Sequence, residues 1–207
     1  MQKIENGNEP YVDERNPEYE DVTEPAFLEE WQDANEAVEI VGQWCLTMIH
    51  GSLKAFLEEY VDEMAREYRN AFTDAKQRLA NTKGKGWFDR YRLFFLAEFN
   101  IDWKHCPVKI ADLEQINLTR DDLIHNISVT TTVVYQTKKH AERFPKSLFT
   151  DDVWAGLGLG GRIKVERDQL TKALQLVDEF CTWLEDIQVN VSSGSRFGDP
   201  TPRRQLT

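Results

Sequence analysis

The sequence predicts an all-α chain. It is a helical bundle behind an acidic N-terminal extension (residues 1–33), with a helical domain over 34–190 and a mobile C-terminal tail over 191–207. Three observations carry this reading. Apolar residues recur at helical spacing from Phe27 to Tyr68. A second apolar run, WFDRYRLFFLAEF at 87–99, suits a buried helix. A third amphipathic run follows Asp168 and continues to about residue 187.

In the first run the apolar positions are Phe27, Trp31, Ala34, Val38, Val41, Cys45 and Met48, then Leu53, Phe56, Tyr60 and Met64. They form one long helix or two consecutive ones, since Gly42 and Gly51 permit close packing, a bend or a break. No proline interrupts from 26 to 106. The stretch TDAKQRLANTKGKG at 73–86 reads as decay into a polar loop. After Pro107, a boundary residue, ADLEQI at 111–116 is a short helix. It leads into LTRDDLIHNISV, in which a new helix is expected to start with Thr119 as N-cap and Asp122 at the third position. VTTTVV at 129–134 favours a strand by local propensity, or a helix where packing overrides it. GLGLGG at 156–161 is a flexible turn before Arg162-Ile163-Lys164-Val165, a short strand. Asp168 then caps a final helix, with Leu170, Leu174, Val177, Cys181 and Leu184 on its inner side.

Composition bounds the function. The 207 residues are 41% hydrophobic and 11% aromatic, enough for one domain with a sizeable core. No run approaches the roughly 20 apolar residues of a membrane span, so no membrane association is expected. The N-terminus has no apolar stretch of the kind a secretory signal needs. Three widely spaced cysteines, Cys45, Cys106 and Cys181, fit reduced thiols in a cytoplasm; neither a metal site nor a cofactor is expected. The net charge of −11 is concentrated at the N-terminus: residues 1–33 hold 11 acids and 2 bases, the remainder 25 acids and 23 bases.

A nearly neutral body can still present a basic face. Residues 66–92 supply Arg66, Arg69, Lys76, Arg78, Lys83, Lys85, Arg90 and Arg92, with Trp87 and Tyr91 interleaved and able to stack on bases. Their competing reading is a solvated helix surface. His140 with Lys138, Lys139, Arg143 and Lys146 reads as a solvated face that could extend an RNA-binding rim. His50 sits on an apolar helix and reads as core. His105 beside Cys106 gathers no further ligands nearby. Gly156, Gly158 and Gly161 satisfy G-x-G-x-x-G but are followed by a strand-like run where a helix is required, so nucleotide binding there is not expected.

Arg120 and His125 are the strongest chemical pair. Five residues at 100° each put them about 140° apart on a helix, so an arginine's reach or a second subunit must close the gap. A helix N-terminus at this point would attract a phosphate, and its field would leave the imidazole able to accept a proton.

The stretch Arg120-Asp121-Asp122-Leu123-Ile124-His125-Asn126 resembles the signature of the HEPN domain superfamily: an arginine, a polar residue, an apolar residue before the histidine, and an asparagine after it. TMIHGSLKAFLEEYV at 47–61 is similar to that family's early helix. The resemblance implies an all-helical bundle that dimerises with its two motifs facing each other. It also implies metal-independent cleavage of RNA, as in toxin–antitoxin or phage-defence systems. By the same resemblance, His125 moves the proton, Arg120 holds the scissile phosphate, Asp121 orients one of them, and Asn126 bonds the phosphate or the helix end. Arg90, Arg92, Lys138 and Lys139 would bind the RNA. A tyrosine two residues after the histidine, a target of a partner nucleotidyltransferase in one branch, is Ile127 in this chain, which puts neutralisation by that route in doubt; an antitoxin or a nucleotidyltransferase is the expected partner. The competing class is a HEPN-like dimer without catalysis, a binding or regulatory module.

Overall fold

The structure, a computed structural model, describes residues 27–67, 74–126, 133–151 and 161–192. Helix accounts for 77% of them. Six α-helices appear among these residues: α1 (Leu28–Glu67), α2 (Ala75–Asn81), α3 (Trp87–Phe99), α4 (Ile110–Asn126), α5 (Lys138–Arg143) and α6 (Arg167–Ser192). A 3-10 turn spans Trp103–His105. Three two-residue strands, β1 (Val134–Tyr135), β2 (Thr150–Asp151) and β3 (Arg162–Ile163), form an antiparallel sheet in the order β1-β3-β2. No helix among the described residues is long and apolar enough to cross a membrane.

The first apolar run is a single 40-residue helix, and it begins inside the acidic segment, at Leu28. Neither glycine breaks it. Gly42 is where β3's exit strand passes: a Cβ there would lie 2.3 Å from the Val165 carbonyl oxygen. Arg162 on β3 meets Glu39 at 2.6 Å one turn earlier. The sheet is thereby pinned to α1 by an ion pair and by a contact only glycine allows.

Residues 75–81, read from sequence as loop, form the short helix α2. Ala75 is buried, and Arg78 pairs with Glu98 at 2.5 Å. The intrinsic signal for seven residues is weak; contact with α1 and α3 supplies the rest. Helix α3 has the predicted bounds and ends at Asn100, whose left-handed backbone (φ 54°) closes the last turn.

The core lies where α1, α3, α4 and α6 converge. Trp103 is fully buried among Phe88 (ring centroids 5.1 Å apart), Phe180 (5.0 Å) and Phe95 (5.8 Å). The pairs with Phe88 and Phe180 are edge-to-face, and each adds about 0.5–1.5 kcal/mol beyond area burial. Tyr60 joins the cluster, and its hydroxyl donates to the Leu184 carbonyl at 2.7 Å, tying α1 to α6. On α6 the buried residues are Ala173, Phe180 and Leu184, whereas Leu174 is 55% exposed, contrary to its expected inward position. Helix α6 starts at Arg167, so Asp168 lies in its first turn and is not its cap.

The larger correction concerns α4. It is one helix from Ile110 to Asn126, not a short helix followed by a new start. Thr119 lies in its interior, fully buried, and caps nothing. Asp122 is buried too. Val134 is in strand, as the β-branched run allows; residues 129–132, the glycines at 156–160 and the segments 1–26 and 193–207 lie outside the described residues.

Candidate functional site

Helix α4 carries the arginine–histidine motif in its second half, so the motif meets the helix's C-terminal end. The premise of an anion-attracting N-terminus is removed, because the helix field at this end favours cations.

Arg120 is half-buried on the flank of α4 that faces α1. Its Nη1 bonds Asp121 Oδ1 at 2.9 Å, so Asp121 does hold the guanidinium. The imidazole on which the guanidinium charge acts is that of His50, from α1. His50 is buried, and its Nε2 lies 3.1 Å from Asn117 Oδ1. Trp87 Nε1 donates to the same oxygen at 2.5 Å. An indole N–H can only donate, which fixes that atom as the amide oxygen. His50 Nε2 must then donate as well, and because burial disfavours the charged ring the other nitrogen is left unprotonated. Burial lowers the His50 pKa; the Asn117 bond opposes this, and the Arg120 charge lowers it further. Trp87 stands edge-on to the ring at 5.2 Å. His50, read from sequence as core, is core with a polar task. An asparagine one helical turn before Arg120 was its only sequence signal.

His125 is exposed in the last turn of α4, and Asn126 Nδ2 bonds the Asp122 carbonyl at 3.0 Å, closing the helix end. The 140° separation holds on this continuous helix: Arg120 faces α1 and His125 the other flank. Within one protomer the two are not brought together.

The His125 flank has its own company. Glu114, eleven residues earlier, lies about 20° from His125 around the helix. Arg143 from α5 meets Glu114 at 2.6 Å. Burial raises the Glu114 pKa; Arg143, Arg92 and Lys139 act to lower it, and Asp89 to raise it. Arg92 of α3 and Lys139 of α5, far apart in sequence, therefore gather on one surface. Arg92 is itself paired with Asp89 at 2.7 Å, and the Lys85 backbone N–H, ahead of Arg92, holds that carboxyl low. Lys138 reaches Glu142 only loosely, at 3.8 Å. Arg90 is half-buried on α3.

Two expectations for this surface are overturned. His140 is not on a solvated face: it is fully buried, with Nδ1 2.7 Å from Asp122 Oδ2. The same carboxylate accepts from the Thr137 backbone N–H at 3.3 Å. Nor is Tyr91 available to stack on a base. It is 6% exposed, and burial with the nearby Glu58 pushes its hydroxyl pKa up to about 12. Trp87 is half-buried with its indole committed to Asn117. Elsewhere in the basic run, Lys76 is neutralised by Asp62 at 2.7 Å and Arg78 by Glu98; Arg69 lies outside the described residues. Burial raises Cys106 and takes Cys181 to about 12, opposite to the shift a nucleophilic thiol needs.

Compared with family models, with curated proteins and with solved structures, the chain finds no match in any of the three.

Proposed function

We propose that this chain is a metal-independent endoribonuclease of HEPN type, with Arg120 and His125 as its working pair. The observation that supports it best is the exposed His125 on a flank of α4 shared with Glu114, around which Arg92, Arg143 and Lys139 collect. A basic cluster about 16 Å along the same flank from an accessible imidazole suits an extended phosphodiester backbone running between them.

RNA brings its own nucleophile. The 2′-OH would attack the adjacent phosphorus, the P–O5′ bond would break, and the 5′-oxygen would take up a proton, leaving a 2′,3′-cyclic phosphate. His125 removes the 2′ proton or supplies the 5′ one, work of about 10²- to 10⁴-fold. Arg120, always charged and fork-shaped, offsets charge growing on the phosphate oxygens, with Asp121 fixing its orientation. Because Arg120 and His125 lie on opposite flanks of α4, the site requires a second copy, with the arginine of one meeting the histidine of the other. A toxin or phage-defence role, in a cytoplasm and under an antitoxin's control, follows from the motif's resemblance alone.

A second reading, a helical binding module without catalysis, is favoured by Arg120 facing His50 and not His125. Labelled RNA and the same strand as DNA, incubated with the protein in excess EDTA, separate the two. Cleavage of RNA only, falling about 100-fold or more in His125→Ala and in Arg120→Ala, supports the nuclease. Cleavage unchanged in both variants, or none in the wild type, sinks it. Growth arrest on expression, lost in His125→Ala, is the corresponding cellular result.

A further inference from the structure

Helix α1 is apolar on two opposite sides. One side is the core line of Leu46, Ile49, Leu53, Leu57 and Met64. The other is exposed: Val38 is 65% accessible, Val41 59%, Trp44 63% and Met48 70%. These are the largest accessible aliphatic and aromatic groups on the helix beyond its first turn, and they are contiguous. The small exposed residues Ala34, Ala37, Gly51, Ser52 and Ala55 extend the same side, and no charge interrupts it from Ala34 to Ala55. That is a strip about 32 Å long.

Its spacing suits a second helix. Ala34, Val38, Val41, Cys45, Met48, Ser52 and Ala55 are separated alternately by four and three residues, a strict period of 3.5. A helix that packs only on its own globule follows a broader 3.6-period stripe; a 3.5 period keeps one seam against another helix. The N-terminal segment is a poor occupant, since Pro10, Pro17 and Pro25 punctuate it and it carries eight acids.

We infer that the outer side of α1 is the surface on which two copies of this chain pair, helix against helix in antiparallel order about a twofold axis. The charges fix the order. Lys54 is the only lysine or arginine between Leu28 and Ala65, and it is half-exposed with one loose partner, Glu58 at 3.9 Å. The exposed Glu29 and Asp33 lie on the same flank at the other end of the strip. An antiparallel pair sets like flanks against each other. With the crossing between Val41 and Trp44, Lys54 of each copy falls beside Glu29 and Asp33 of the other. Trp44 then lies over the partner's Val41, an aromatic anchor at the centre of the contact. This inference does not rest on the nuclease reading and is tested without RNA.

The test is the mass of the full-length chain by sedimentation equilibrium from low micromolar to about 100 µM. The expected wild-type mass is twice the 24.1 kDa of the chain. Val41→Glu with Met48→Glu should give the single-chain mass with an unchanged helical circular dichroism spectrum, because both side chains are outside the core. Lys54→Glu should weaken the dimer by about 2- to 30-fold, the worth of two symmetric surface pairs, and adding Asp33→Lys should restore it. A wild type that stays at 24.1 kDa at the highest concentration overturns the inference. So does a double-glutamate variant that still dimerises. Charge reversal at Lys54 without effect, or without rescue, overturns the antiparallel order.

Discussion

Asp122 and His140 meet at 2.7 Å with 4% and 0% side-chain exposure, and nothing in their local sequences announces it. Asp122 sits among charged neighbours in a motif that reads as a helix start; His140 sits among lysines. Eighteen residues separate them, and only the turn of the chain through β1 into α5 joins them. Removing one partner leaves the other buried and unsatisfied, which costs about 1–3 kcal/mol. Asp122→Ala should therefore lower the unfolding free energy by about that much in urea, and Asp122→Asn by less, since an amide oxygen still accepts from His140 and Thr137. A loss under about 1 kcal/mol in Asp122→Ala would show that the pair contributes little. His50 gives a pH signature. Its folded pKa lies below the ordinary 6.5, mainly through burial. The unfolded chain thus takes up the proton first as pH falls. The stability that neutral His50 confers is complete above pH 6.5 and is lost progressively as pH drops from there through the folded pKa. Urea midpoints measured across this window should fall more steeply with acid in the wild type than in His50→Gln. Identical slopes would remove His50 from the account.

At the scale of elements, α1 contains two glycines that sequence alone treats alike. Structure separates them. Gly42 faces the Val165 carbonyl, and a Cβ there would be 2.3 Å from the oxygen; Gly51 has nothing within 4 Å. Alanine in a helix interior is worth about 1 kcal/mol over glycine wherever space allows. Gly51→Ala should raise the thermal midpoint accordingly. Gly42→Ala should lower it, because the obstructing atom is backbone; overpacking of this kind costs about 1–3 kcal/mol. Equal shifts of the same sign in the two variants would contradict the packing of β3 against α1. The same helix shows what apolar spacing leaves open. Val38, Val41 and Met48 recur at helical spacing, and periodicity states that a stripe will be buried without stating by what. Here the chain's own core uses the opposite side. Helix α4 shows the converse failure: Thr119-Arg120-Asp121-Asp122 has the composition of a helix start, but Ile116 and Leu113, one and two turns earlier, are fully buried and carry the helix straight through.

For the whole molecule, helix period parts Arg120 from His125, while the tertiary arrangement brings together groups remote in sequence. Arg92, Lys139 and Arg143 converge on Glu114, while His50, Trp87 and Asn117 gather beside Arg120. The catalytic proposal thus depends on a second copy and is tested by the RNA assay; the mass measurement tests a separate contact, since α4 packs on the side of α1 away from its exposed strip. Dimerisation without cleavage would leave the binding-module reading; cleavage by a monomer would require another pairing of these groups.

By itself the sequence determined the helical class, the bounds of α3 and the helical character of the first apolar run, and it displayed the Arg120–His125 spacing, because apolar period and residue chemistry are local properties; that the first run is one unbroken helix was left to the structure. Tertiary structure alone decided which side of each helix is covered, that His140 is interior, and that Arg120 looks toward His50. Those outcomes depend on where other elements lie, and an isolated helix has no preference between two apolar sides until one of them meets a neighbour.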